Sequence, residues 1–135
     1  MLALPSGRLV RGRGLRHLAT PRSADGLAPT FGVYLLGGNP PTTSWESVWI
    51  EWPDFRLPRD RSGAAATLRA AWGRLAADRV EVACGGGLGR TGTALAYLAV
   101  IDGLPAVDAV RYVRTHYNGH AVETPLQRRS VERFS

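Results

Sequence analysis

The chain has 135 residues, a formal net charge of +6 and one cysteine. That length suits one domain spanning 1–135, able to bury about two-thirds of its unfolded surface without a disulfide or a structural metal. One cysteine excludes an internal disulfide, and no stretch approaches the roughly 18–20 apolar residues of a membrane span. The 17 basic residues are all arginine and lack an interleaved aromatic ladder, which favours anionic partners in general but not nucleic acid.

The first five residues are too short and too uncharged for a secretory signal, so a cytoplasmic protein is expected. Residues 1–29 are rich in Gly, Pro and Arg. Arg8, Arg11, Arg13, Arg16 and Arg22 precede the first acid, Asp25. This reads as a solvated basic face or a contact for an acidic partner, with a short strand near Arg8 to Val10. Alternating β-formers predict a strand over Thr30 to Leu36, and Gly37 to Pro41 breaks it. A second strand is expected over Ser47 to Glu51, with Trp45 and Trp49 in the core. Trp52 to Arg61 reads as a loop. Ser62 is placed to cap a helix through about Ala77, with Leu68, Trp72 and Leu75 at helical spacing. Arg79 to Ala83 is the next strand.

Thr91 to about Gly103 reads as a buried helix because nearly every position is apolar. Pro105 opens another to about Tyr117, with Val107, Val110 and Val113 on one face. Asn118-Gly119 stops it, and Thr124 with Pro125 starts a last helix. Early strands, a central strand–loop–helix and late helices predict an α/β fold: a central, mostly parallel sheet flanked by helices.

The chemistry concentrates in Cys84-Gly85-Gly86-Gly87-Leu88-Gly89-Arg90-Thr91-Gly92, between a strand and a helix. Glycines let the backbone curl and turn its N–H groups inward, which at a helix N-terminus makes an anion site. Such a field also favours the thiolate form of a cysteine placed there, which makes Cys84 a candidate nucleophile. Arg90 adds a planar fork for two phosphate oxygens. The candidate phosphate cradle is Gly85, Gly86, Gly87, Leu88, Gly89 and Arg90. Residues 87–92 also match GxGxxG, but a dinucleotide site needs a second strand with an acid about 20 residues on, where this sequence reads as helix. A Walker loop requires lysine, which is absent.

Cysteine, five residues, arginine, then Thr91-Gly92 resembles the signature loop of the cysteine-dependent protein tyrosine and dual-specificity phosphatases. Trp52-Pro53-Asp54-Phe55-Arg56-Leu57-Pro58 resembles the Trp-Pro-Asp loop of the same family, including the later proline. The order, acid before nucleophile, differs from the small phosphatases and arsenate reductases, whose cysteine loop lies near the N-terminus. The resemblance implies a phosphoprotein phosphatase that needs no cofactor, uses no metal and releases free phosphate. Its partners would be phosphorylated proteins or peptides, with neither nucleic acid nor a membrane. It gives Cys84 as nucleophile, Asp54 as general acid and then base, and Gln127 as the residue that aligns the hydrolytic water. Thr91 is placed to hydrogen-bond the Cys84 sulfur. Gln127 also completes a Thr-x-x-Gln capping box with Thr124, and the two roles are compatible. One departure stands out: Ala83 occupies the position where the family has histidine. That leaves a weakly active phosphate-binding relative, or a phosphoinositide phosphatase, as alternatives. His17, His116 and His120 lack metal-ligand spacing.

Overall fold

The computed structural model describes residues 1–15 and 28–134. The readings made on Arg16, His17, Arg22 and Asp25 lie outside these residues. In chain order the described elements are β1 (Leu2–Ala3), β2 (Leu9–Gly14), β3 (Phe31–Leu36), β4 (Glu46–Glu51), α1 (Arg61–Arg74), β5 (Val80–Cys84), α2 (Gly89–Ile101), α3 (Ala106–His116) and α4 (Pro125–Glu132).

The strands form one five-stranded sheet in the order β1-β2-β5-β3-β4. Only the β1–β2 pair is antiparallel; β2–β5, β5–β3 and β3–β4 are parallel. β5 lies in the middle and is buried along its length, which a Val/Ala-rich strand with few polar residues can sustain. α2 packs on β5 and β2, and α1, α3 and α4 pack against α2. This is the mostly parallel sheet with flanking helices that the sequence predicts.

Residue alternation gives the sheet two distinct faces. Val10, Phe31, Val33, Leu35, Ile50, Val80 and Val82 join the hydrophobic core together with Leu95, Leu98 and Val113 from the helices. The other face is polar yet buried. Glu81, 0% exposed, accepts from Arg13 Nε at 2.7 Å and Nη2 at 3.1 Å, and from Tyr34 Oη at 2.9 Å. Trp45 Nε1 donates to Tyr34 Oη at 2.9 Å. A charge this deep is tolerable only because cation and hydroxyl satisfy it together. Burial and the neighbouring Glu81 charge push the Tyr34 phenol well above its ordinary value, so it stays a donor.

Several expectations need correction. Trp49 is 43% exposed and donates to the Leu36 carbonyl, while Trp45 is half-buried on the polar face. β4 is an edge strand, and Val48 and Ile50 take its core-facing positions instead. α1 is capped by Asp60, whose carboxylate accepts from Gly63 N–H, and not by Ser62; it ends at Arg74. Val107 is 72% exposed, because two three-residue steps leave it about 120° round the helix from Val113, off the face of Ala109, Val110 and Val113. The strand expected near Arg8 to Val10 runs on to Gly14, and β1 pairs with it.

Candidate active site

Cys84 ends β5, and α2 starts at Gly89, so the glycine loop spans one tight strand-to-helix turn. Gly87 takes φ +80°, open to glycine at no steric penalty. A Cβ there would strike the Gly14 backbone, so the loop lies directly against the end of β2. Cys84 is 2% exposed, and its Sγ accepts from the Gly87 N–H at 3.1 Å. The sulfur thus faces the loop's own donors.

Leu88 supplies no side-chain cap to α2, and the first bond of the helix runs from Gly92 N–H to the Leu88 carbonyl. The N–H groups at the helix start are left for an anion, with the macrodipole behind them. Tyr117 Oη closes the other side of the loop, donating to the Gly87 carbonyl at 2.6 Å. Burial, and then the Cys84 charge, push the Tyr117 phenol up to about 12, so it remains a donor at neutral pH.

Arg90, 6% exposed, joins the two sequence motifs. Its Nη1 donates to the Trp52 carbonyl at 3.1 Å, and its Nε lies 3.5 Å from Asp54 Oδ1. Asp54 is part-exposed, on a turn closed by Arg56 N–H to the Pro53 carbonyl. Phe55, at φ +61°, is 57% exposed beside it. Trp52 roots this segment: it is fully buried, its Nε1 donates to the Arg56 carbonyl at 2.7 Å, and its ring stacks toward Tyr97 at 6.1 Å.

Gln127 is also fully buried. Its Oε1 accepts from Glu123 N–H at 3.0 Å and Thr124 N–H at 3.3 Å, completing the capping box of α4. Its Nε2 donates to the Arg56 carbonyl at 3.3 Å, tying α4 to the Asp54 segment. Thr91 does not make the expected bond to the sulfur. Its buried Oγ1 has no hydrogen-bond partner among the described residues, and the Gly87 N–H donates to the sulfur. His120 is exposed, with its N–H on Asn118 Oδ1, and His116 packs against the Tyr112 ring.

Four contributors escape a reading of the sequence. Tyr117 lies 30 positions from the carbonyl it holds. Arg114 donates to the Ala121 and Val122 carbonyls at 2.9 and 2.8 Å, pinning a segment whose Val122 sits at φ +63°. A β-branched residue there is strained, and such strain collects at functional sites. Val122 N–H in turn donates to the Leu88 carbonyl, and the Glu123 carboxylate lies over Gly89. Groups from the Asp54 segment, from Tyr117 and from residues 122–123 therefore meet around one glycine loop.

Cys84 thus lies beneath the glycine turn, with the Arg90 guanidinium on its rim and the Asp54 carboxylate beside that guanidinium. The fold has counterparts among solved structures. The chain aligns with Tk-PTP in its active form at 25% identity and a TM-score of 0.67, over 94% of this chain and 89% of that chain. It aligns with DUSP15 at 17% identity and a TM-score of 0.65, over 78% and 69%. Kinase-associated phosphatase, with its catalytic-site cysteine replaced by serine, aligns at 19% identity and a TM-score of 0.59, over 67% and 52%. All three are cysteine-based tyrosine or dual-specificity phosphatases, and this chain has their fold. No protein-family model matches the chain, and no curated protein matches it in sequence.

Proposed function

We propose that residues 1–135 form a catalytic domain that hydrolyses phosphotyrosine on proteins, with phosphoserine and phosphothreonine as further substrates, through a phosphocysteine intermediate. Cys84 Sγ attacks phosphorus as the bond to the leaving oxygen breaks. Loop N–H groups and Arg90 hold the three equatorial oxygens as charge spreads over them. Asp54 gives its proton to the departing oxygen, a contribution of about 10²–10⁴ in rate. The carboxylate then takes a proton from water as that water attacks phosphorus and the S–P bond breaks. Phosphate leaves, and the thiolate and the acid are restored. Gln127 shapes this step by holding the Asp54 segment through the Arg56 carbonyl.

The observation that carries the reading is the position of Arg90, bonded to Trp52 and paired with Asp54 while it follows the glycine loop. No lysine or arginine in the loop other than Arg90 addresses a larger anionic headgroup, which favours protein over inositol lipid. A lone thiol at the centre of the chemistry suits a reducing compartment, so we place the protein in the cytoplasm. The test is hydrolysis of p-nitrophenyl phosphate and of phosphotyrosine and phosphothreonine peptides in EDTA. Cys84→Ser abolishes turnover, and Asp54→Ala lowers kcat far more than it weakens substrate binding. Turnover surviving in Cys84→Ser sinks the mechanism.

A further inference from the structure

Leu57 and Pro58, at the buried end of the Asp54 segment, form one wall of a cavity of about 440 Å³. The other walls come from the first turn of α1, from α2, from α4 and from Phe134. Its floor is apolar: the Tyr97 and Phe134 rings stack with centroids 4.6 Å apart, and Leu57 and Ala64 lie beside them. Its rim is cationic. Arg61, Arg129 and Arg133 all line it, and no carboxylate does.

These three arginines differ from Arg8, Arg13, Arg59, Arg74, Arg90 and Arg111, each of which faces a carboxylate. The guanidinium groups of Arg61, Arg129 and Arg133 make neither an ion pair nor a hydrogen bond among the described residues. Arg129 and Arg133 are four positions apart at the end of α4, a spacing at which like charges repel. Arg61, Arg129 and Arg133 gather round one concavity whose lining holds no carboxylate, which favours an anion there. Guanidinium forks match the oxygens of phosphoryl and sulfonyl groups. The volume lies in the range of small-molecule sites.

We propose that this cavity binds an oxyanion carried on an aromatic or alkyl body. The apolar part packs on Tyr97 and Phe134, and the anionic group sits among Arg61, Arg129 and Arg133. None of residues 84–91 lines it, so it is separate from the glycine loop. The same chemistry is presented by a free aryl phosphate or by a phosphorylated tyrosine on a polypeptide.

Residue-resolved NMR titration tests this with two probes: phenylphosphonate, and a short peptide bearing non-hydrolysable phosphonomethyl-phenylalanine. Saturable shifts of the amides of Arg61, Ser62, Ser130 and Arg133, with Kd below about 1 mM, are expected from at least one probe. The tighter probe names the source. The double variant Arg129→Ala with Arg133→Ala weakens that binding at least tenfold and leaves the titration of residues 85–90 unchanged. Arg61→Gln serves the same purpose if the double variant loses its fold. Shifts confined to residues 85–90, or unchanged affinity in the variants, overturn the proposal. The readout needs no turnover, so its failure is distinct from failure of the phosphatase reading.

Discussion

Arg90 Nη1 donates to the carbonyl oxygen of Trp52 across 3.1 Å, so the proposed phosphate clamp and the root of the proposed acid segment share one hydrogen bond. A lysine at this position keeps the charge and loses the fork. Arg90→Lys is therefore expected to lower kcat/KM for p-nitrophenyl phosphate by about 10²–10³, the size of losing one oriented donor to a developing oxyanion. The circular dichroism spectrum stays unchanged. A variant within tenfold of wild type would remove Arg90 from the mechanism.

Tyr117→Phe leaves the Gly87 carbonyl without its 2.6 Å donor and relaxes the loop from one side. A buried acceptor so stranded costs about 1–3 kcal/mol. The expected outcome is a lower urea midpoint and a rise in KM. The sign with pH follows from the raised phenol. The folded state holds the proton more tightly than the unfolded chain does, so wild-type stability from this group is full below pH 10. It falls between about pH 10 and 12. In that window the gap between wild type and variant narrows; a gap constant through pH 11 would contradict the assignment.

Gln127→Ala removes the capping-box acceptor of α4 and the tie to Arg56 together. Loss of the cap alone is worth about 0.5–2 kcal/mol. Chemical denaturation should show at least that loss. Rate tells the two roles apart: if Gln127 positions the Asp54 segment, kcat falls even at temperatures where the variant is fully folded. A stability loss with kcat intact would confine Gln127 to capping.

Asp102 caps the end of α2 and gathers Ser6 N–H at 2.7 Å, Ser6 Oγ at 2.7 Å and Trp72 Nε1 at 2.8 Å. Burial alone would push its carboxyl up, but the bonds from Ser6 and Trp72 outweigh burial and hold it below the ordinary carboxylate value. A depressed carboxyl stabilises the fold above its unfolded pKa of about 3.9, and the contribution is lost as pH falls through the folded value. Asp102→Ala is expected to lose about 2–3 kcal/mol at pH 7. That difference should shrink below about pH 4 in parallel urea titrations. An equal difference at pH 7 and pH 3 would show that the charge is immaterial.

The two loops were legible because each is written in consecutive residues. Cys84 to Arg90 carries its chemistry and its backbone freedom within seven positions, and Asp54 sits between two prolines and a tryptophan. β3, β5 and α2 were legible for a similar reason, as apolar runs that stay buried. β2 was largely invisible. Arg11, Gly12, Arg13 and Gly14 have little intrinsic preference for a strand, and parallel pairing with β5 imposes it. Trp49 points outward because β4 is the sheet edge, a fact set by topology and not by hydrophobicity. The Thr91 hydroxyl, next to Arg90 in sequence, makes no bond to the sulfur, because adjacency in sequence does not fix which way a side chain is turned. Tyr117 acts on backbone 30 positions away, and Arg114 on the turn that follows its own helix, and no local pattern marks either.

Trp52 and Leu57 are both buried, and only residues 53–56 run between them. Asp54 therefore sits on a short span tethered at both ends, whose reach is bounded by roughly 3.3–3.6 Å per residue. Displacement of Asp54 is thereby confined to a span of four residues, with Trp52 and Leu57 as its buried ends.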